Sequence, residues 1–125
     1  MKNVLIYISC PISKGDLFAN IKQADAAFLA LMKADFAVFN PTSNCYVGDS
    51  FEGTFGVWSY ARPHPNGTTS EQWYAMDRVI VQRCDGVLRL LGESVGADLE
   101  VAEAKRLGKP VFYSVEEVIA HPWNQ

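Results

Sequence analysis

Hydrophobic and polar residues follow two alternating spacings along this chain. Residues 2–9, KNVLIYIS, form an almost unbroken apolar run, which is typical of a strand buried on both faces of a sheet. From about Asp16 to Ala34 the apolar residues recur every three or four positions, which predicts an amphipathic helix with Asp16 as its N-cap. The alternation continues and predicts strands at about 36–41, 84–91 and 110–114 and helices at about 70–83, 95–107 and 115–121.

Strands that alternate with helices predict an α/β fold, in which a parallel sheet carries helices on both faces through right-handed crossovers. A chain of 125 residues is long enough for one domain with a core and too short for two. We therefore expect residues 1–125 to form a single domain of the flavodoxin or Rossmann type. Ligands bind beyond the C-terminal ends of the strands in such sheets, so a site is expected there.

Composition narrows the function classes. The charged fraction is 20%, the formal net charge is −3, and no dense run of Lys or Arg gives an electrostatic reason for binding nucleic acid or membranes. The apolar runs are too short to span a bilayer, and no signal peptide is recognised at the N-terminus. The three cysteines form no CxxC pair and the two histidines lack ligand-spaced partners, so we expect a cytoplasmic protein with reduced thiols and no zinc site.

Two carboxylates lie on helix faces that should point inward. Glu100 falls among the apolar residues of its helix, and Asp77 does the same in the preceding helix. The apolar neighbours at helical spacing are Ala97, Val101, Ala104 and Leu107 for the first, and Trp73, Met76, Ile80 and Cys84 for the second. An inward carboxylate is costly unless something uses it, and paired carboxylates can divide nucleophilic and acid/base duties at a glycosidic carbon. The alternatives are a glutamate that balances the helix dipole and an aspartate satisfied by a backbone amide or by Arg83.

The segment between the third strand and its helix has the composition of an anion-binding turn. Ser94 and Gly96, with the amides of Ala97 and Asp98, would present donors at a helix N-terminus. The alternative is an ordinary serine N-cap. The chain contains neither GxxxxGK[ST] nor GxGxxG. Because these motifs define the Walker-type NTPases and the dinucleotide-binding domains, both classes are excluded.

Three motifs, in order and at matching spacing, resemble the nucleoside 2-deoxyribosyltransferase-like superfamily, which includes the 2′-deoxynucleoside 5′-phosphate N-hydrolases. The run YISCP at 7–11 resembles the family's Y-L-A-G-P at the end of strand one. Asp77 precedes Asp85 by eight residues, as in the helix that leads into strand three. SVGADLE at 94–100, followed by AEAKRLGKP, resembles [S/D]-x-G-x-x-x-E, then A and G-K-P. The resemblance covers most of the chain and is weakest over 42–69.

The resemblance implies an enzyme that cleaves N-glycosidic bonds. Glu100 would be the nucleophile that attacks the anomeric carbon and forms a covalent glycosyl-enzyme, resolved by water or by another nucleobase. Asp77 would protonate the departing base, and Tyr7 would hydrogen-bond Glu100. The resemblance implies no metal or organic cofactor, and it implies a homo-oligomer in which a neighbour completes the pocket. The tail 121–125, with Trp123, is the candidate for that contact.

The position of Ser94 favours a nucleoside monophosphate as substrate. In the transferases of the family this position is commonly an Asp that receives the sugar 5′-hydroxyl, whereas in the phosphate hydrolases it is a Ser that accepts the phosphate. The loop after strand one departs from the family, because Cys10 replaces a glycine and Pro11 stands where the hydrolases have a serine. Ser13 and Lys14 are candidates to compensate.

The remaining substrate contacts are expected from the strand tips, the long segment 42–69 and the tail. Segments of this length within a compact domain are usually functional, and their aromatics would suit either stacking on a base or packing as a lid. The expected contacts are Ser9, Pro11, Ser13, Trp58, Trp73, Ser94, Gly96, Ala97 and Asn124. Alternatives to an N-hydrolase are a deoxyribosyltransferase on free nucleosides, an inactive nucleotide-binding module, and a flavodoxin-like domain with a structural role.

Overall fold

The computed structural model describes residues 1–12, 14–43 and 67–123. Within them the elements follow the predicted order. The strands are β1 (Leu5–Ser9), β2 (Ala37–Phe39), β3 (Gly86–Arg89) and β4 (Val111–Phe112), and the helices are α1 (Leu17–Lys33), α2 (Ser70–Arg83), α3 (Val95–Arg106) and α4 (Val115–Ala120), with a 3-10 turn at Pro41–Ser43. The α/β class predicted from the alternating pattern is confirmed.

The four strands form one parallel sheet in the order β2-β1-β3-β4. Ile6 of β1 pairs with Val38 on one side and with Gly86 on the other, so β1 is a central strand. This position explains its unbroken apolar run, because both of its faces are covered. From β1 the chain forms β2 on one side of β1 and then crosses over to form β3 on the other side, which places the switch point between the tips of β1 and β3.

Alternate residues of β1 enter two separate packing layers. Ile6 and Ile8 pack with α1 and α4 on one face of the sheet. Tyr7 packs on the opposite face with Val81 of α2 and Ala104 of α3. Because side chains alternate along a strand, Ser9 lies on the same face as Tyr7. The α2–α3 face of the sheet therefore receives the polar side chains of the central strand.

Side-chain caps begin the helices and a glycine ends the third. Asp16 accepts from the Phe18 and Ala19 amides at the start of α1, as predicted. Thr69 and Gln72 form a reciprocal capping box at the start of α2. Gly108, directly after the C-cap of α3, has a φ of +72°, which a glycine adopts without strain.

Two side chains differ from the predicted pattern, and the packing of a third was not predicted. Met76 is 38% exposed, and Val81 rather than Met76 completes the inward face of α2. Leu107 is 37% exposed because α3 ends one residue before it. Trp123 packs within its own chain against Phe36 and Phe112, and its Nε1 donates to the Val118 carbonyl at 2.9 Å. Its aromatic ring therefore packs inside the subunit, and the contact between subunits expected of the tail stays a prediction.

Two charged side chains near the ends of α2 and β1 are structural. The Asp85 carboxylate accepts from the Leu5 amide at 2.8 Å and joins the approach to β3 with the start of β1. Lys109, from the GKP run, donates to the carbonyls of Gln82 and Cys84 and so satisfies the C-terminal end of α2. No helix in the described part of the chain is long and apolar enough to cross a membrane.

Candidate active site

Glu100 is a buried carboxylate held from β1 by two hydroxyl donors. It lies on α3, six residues after the N-cap, and only 7% of it is exposed. Tyr7 donates to its Oε2 at 2.7 Å, and Ser9 donates to its Oε1 at 2.8 Å. Both donors lie on the last residues of the central strand, so the carboxylate is placed at the C-terminal edge of the sheet. Ala97 and Ala104, one turn away on either side, leave room for it.

Asp77 reaches the same place from α2, which packs against α3. Its interactions with Glu100 and Tyr7 place it beside them. Its Oδ1 is buried and accepts no hydrogen bond from any residue that the structure describes. The alternative was that a backbone amide or Arg83 donates a hydrogen bond to Asp77. Neither donates to this oxygen. A buried oxygen without a donor is uncommon, and a catalytic role is one of the reasons for which native proteins keep one.

Burial and mutual repulsion set the ionisation of the two acids. Burial, together with the negative charge of Asp77, raises the pKa of Glu100 to about 8, although hydrogen bonds from Tyr7 and Ser9 oppose the rise. Burial also raises the pKa of Asp77 to about 6. Burial and the adjacent acids raise the pKa of Tyr7 well above its ordinary value, so Tyr7 stays a neutral donor. The pair therefore holds one proton between about pH 6 and pH 8.

The turn at Ser94 begins α3, and it corrects one detail of the prediction. Ser94 Oγ accepts from the Ala97 amide at 3.0 Å, and the Ser94 carbonyl accepts from Asp98 at 3.1 Å. The two amides expected to bind an anion are thus already bonded to Ser94. The amides of the first two helical residues, Val95 and Gly96, have no intrahelical partner and are the donors that an anion would meet.

Tyr74 was not predicted and packs over this turn. A Cβ added to Gly96 would lie 3.1 Å from the Tyr74 ring, which is tighter than ordinary contact. Glycine at this position therefore lets the ring of α2 close against the start of α3. The run SVG shows that a glycine stands at position 96, but nothing in it indicates that Tyr74 of another helix packs against that glycine.

The loops after β1 and β3 pack together beside the Ser94 turn. A Cβ added to Gly92, whose φ is +120°, would lie 2.5 Å from Cγ of the buried Pro11. Lys14 and Glu93 form an exposed ion pair between the same loops at 3.4 Å. Pro11 is therefore buried against the neighbouring loop, and Lys14 lies next to the residue that precedes Ser94.

Arg89, the last residue of β3, stabilises the loop after β3 by hydrogen bonds from its partly buried side chain. Its side chain is only 12% exposed, and its guanidinium donates to the carbonyls of Leu90 and Gly92 and to the Asp98 carboxylate. In the sequence, Arg89 could have been noticed as a single positive charge at the end of an otherwise apolar strand. A cavity of about 270 Å³ adjoins it, lined by Arg89, Leu90, Leu91, Gly92, Asp98, Val101 and Tyr113, and neither carboxylate of the pair lines it.

Of the other predicted substrate contacts, the structure describes Trp73 but not Ser13, Trp58 or Asn124. Trp73 is partly buried, and its Nε1 donates to Thr68 Oγ1 at 2.8 Å, which fixes it at the start of α2. Ser13, Trp58 and Asn124 lie outside the described residues. Across residues 1–12, 14–43 and 67–123, no three His, Cys, Asp or Glu side chains are grouped so that they could hold a metal ion.

The order of the strands and the position of the acid pair define an open, parallel α/β domain with its candidate site at the switch point. Over 96% of its length the chain is similar to a solved structure described as the 2-deoxyribosyltransferase of the psychrotolerant bacterium Bacillus psychrosaccharolyticus. The match covers 93% of that chain, with a TM-score of 0.61 and 15% sequence identity. No protein-family model and no curated protein sequence matches the chain. The resemblance predicted from the motifs is therefore confirmed at the level of the fold.

Proposed function

We propose that this protein cleaves the N-glycosidic bond of a 2′-deoxynucleoside 5′-monophosphate through a covalent intermediate on Glu100, which water then resolves. The observation that carries the proposal is the buried acid pair, in which Glu100 is held by two donors while Asp77 keeps an oxygen that has no partner among the described residues. The fold shared with a 2-deoxyribosyltransferase supports chemistry on nucleosides. A chain that only bound nucleotides would have no need for two neighbouring inward carboxylates.

In the first half-reaction, a carboxylate oxygen of Glu100 attacks C1′ of the sugar and forms an ester. The C1′–N bond breaks, its electron pair goes to the base nitrogen, and Asp77 transfers its proton to the base. In the second half-reaction, Asp77 accepts a proton from the water that attacks C1′, and the ester bond breaks to release Glu100. Each acid thus returns to its starting state, as in retaining glycosidases.

This sequence requires the single shared proton to reside on Asp77 when Glu100 attacks. Burial is more complete for Glu100, so in the empty site the proton favours Glu100. Positive charge that develops on the sugar stabilises the ionised form of Glu100, and the leaving base provides Asp77 with an acceptor. The proton therefore moves from Glu100 to Asp77 as the C1′–N bond begins to break.

A 5′-phosphate is the favoured substituent because of the Ser94 turn. The free amides at the start of α3 and the positive end of the helix dipole would stabilise a dianion, which an Asp at position 94 would repel. Lys14 lies beside this turn through its pair with Glu93 and adds a positive charge. On a free nucleoside these donors would remain unused.

The test is a panel of deoxynucleosides and their 5′-monophosphates, with ribose counterparts, in which free base is followed by chromatography. Glu100→Gln is run alongside, with Glu116→Gln as a matched control because Glu116 is exposed on α4. Release of base from monophosphates that is lost only in Glu100→Gln supports the proposal. Exchange of a competing base on unphosphorylated nucleosides would assign a transferase instead. Nucleotide binding without turnover would contradict enzymatic activity.

A further inference from the structure

Ser9 does not occupy the position expected of a substrate contact. It is completely buried, and its hydroxyl lies 2.8 Å from Glu100 Oε1 and 3.3 Å from the Ala97 carbonyl. Both neighbours belong to α3, so the serine hydroxyl is bonded within the protein and no part of it is exposed to a substrate. The family motif that YISCP resembles has an alanine at this position, which offers no hydroxyl.

The two neighbours let this hydroxyl match either protonation state of Glu100. A serine hydroxyl carries one proton that rotates, and its oxygen also accepts. When Glu100 is ionised, Ser9 donates to Oε1. When Glu100 is protonated on Oε1, that O–H donates to Ser9, and Ser9 donates to the Ala97 carbonyl. Neither state then leaves a buried polar atom without a partner, which would be costly at this depth.

We propose that Ser9 is a positioning residue that holds Glu100 Oε1 in place and switches its own hydrogen bond as Glu100 gains or loses its proton. The consequence for turnover rests on the proposed function, whereas the consequence for ionisation does not. The ionisable groups that face Glu100 are Tyr7 from β1 and Asp77 from α2, and Cys10 interacts with Tyr7. Both facing groups are acids, so Ser9 stabilises the ionised form without adding charge.

The experiment compares wild type with Ser9→Ala. Carboxyl ionisation is followed by infrared difference titration, and the Glu100 band is identified by its loss in Glu100→Gln. Loss of one hydrogen bond to an ionised acid shifts its midpoint upward by about one pH unit. Because Glu100 then keeps more of the shared proton, turnover of the best substrate should fall about tenfold in kcat at pH 7, with KM nearly unchanged, and the alkaline limb of the kcat profile should move to higher pH. A residue that merely packs would not move the pH profile.

Ser114→Ala is the control, because it removes a serine hydroxyl from the N-cap of α4 on the opposite face of the sheet. Ser9→Cys places a slightly larger and weaker donor at the same position, and it should give an intermediate shift if the alanine variant folds poorly. Equal titration midpoints for Glu100 in the wild type and both Ser9 variants would overturn the inference. A wild type that turns over nothing, yet shows the shift, would refute the proposed function and leave the role of Ser9 standing.

Discussion

Replacing Glu100 by glutamine is expected to stabilise the protein above pH 6 while it abolishes turnover. Glutamine has the same shape, and its amide can satisfy the site. Its oxygen accepts from Tyr7, and its NH₂ group donates to Ser9, whose own proton turns to the Ala97 carbonyl at 3.3 Å. The substitution therefore removes the charge without leaving a cavity or an unpaired group.

The magnitude follows from the linkage between protonation and folding. Burial and the negative charge of Asp77 raise the pKa of Glu100 from its ordinary value of 4.5 to about 8 in the folded protein. For a raised pKa, the stabilising contribution is complete below the unfolded value and is lost as the pH rises through the folded value. The loss approaches about 1.4 kcal/mol per pH unit, so between pH 5 and pH 7 it is on the order of 2 kcal/mol. That is a large share of a typical unfolding free energy of about 5–15 kcal/mol.

The assay is urea unfolding at pH 5, 6, 7 and 8, followed by circular dichroism. The difference in unfolding free energy between Glu100→Gln and wild type should be small at pH 5 and should increase steadily to pH 8. Glu116→Gln removes an equal charge at an exposed position and should give a curve parallel to that of the wild type. If the Glu100→Gln curve is also parallel, Glu100 is not a destabilised buried acid, and the argument from its burial fails.

Three further substitutions test the rest of the site. Tyr7→Phe removes the 2.7 Å hydrogen bond to Glu100, so kcat should fall about 10- to 100-fold with little change in KM, measured in steady-state assays. An unchanged kcat would exclude the positioning role of Tyr7. Asp77→Asn cannot donate the proton, so kcat should fall about 10²- to 10⁴-fold for natural bases but much less for a deoxyriboside with a nitrophenolate leaving group. Because the negative charge of Asp77 raises the pKa of Glu100, the acid limb of the remaining activity should also move to lower pH. Equal losses on both substrates would argue against Asp77 as the acid. Gly92→Ala forces a Cβ to 2.5 Å from a proline ring at a φ of +120° and should cost roughly 2–4 kcal/mol in thermal unfolding. Gly15→Ala, with positive φ but no atom within 4 Å, should cost less, and similar losses would contradict the packing argument.

The sequence alone determined the α/β class, the order of the elements and the capping residues. It also singled out Glu100 and Asp77, because a carboxylate that interrupts an apolar stripe is visible in the helical period. Local patterns carry this information, since the spacing of apolar residues reports which face of an element is covered. The motifs added the assignment of Tyr7 as the partner of Glu100.

Only the tertiary structure decided which side chains meet. Ser9 and Glu100 are 91 positions apart, and nothing in the run YISCP indicates that its serine donates to a carboxylate on another element. The same holds for the guanidinium of Arg89 beneath its loop and for the ring of Trp123, which packs inside its own chain. Periodicity identifies the covered face of a helix but not the neighbour that covers it. The parallel crossovers bring β1, α2 and α3 together, and that packing decides which buried polar groups find a partner.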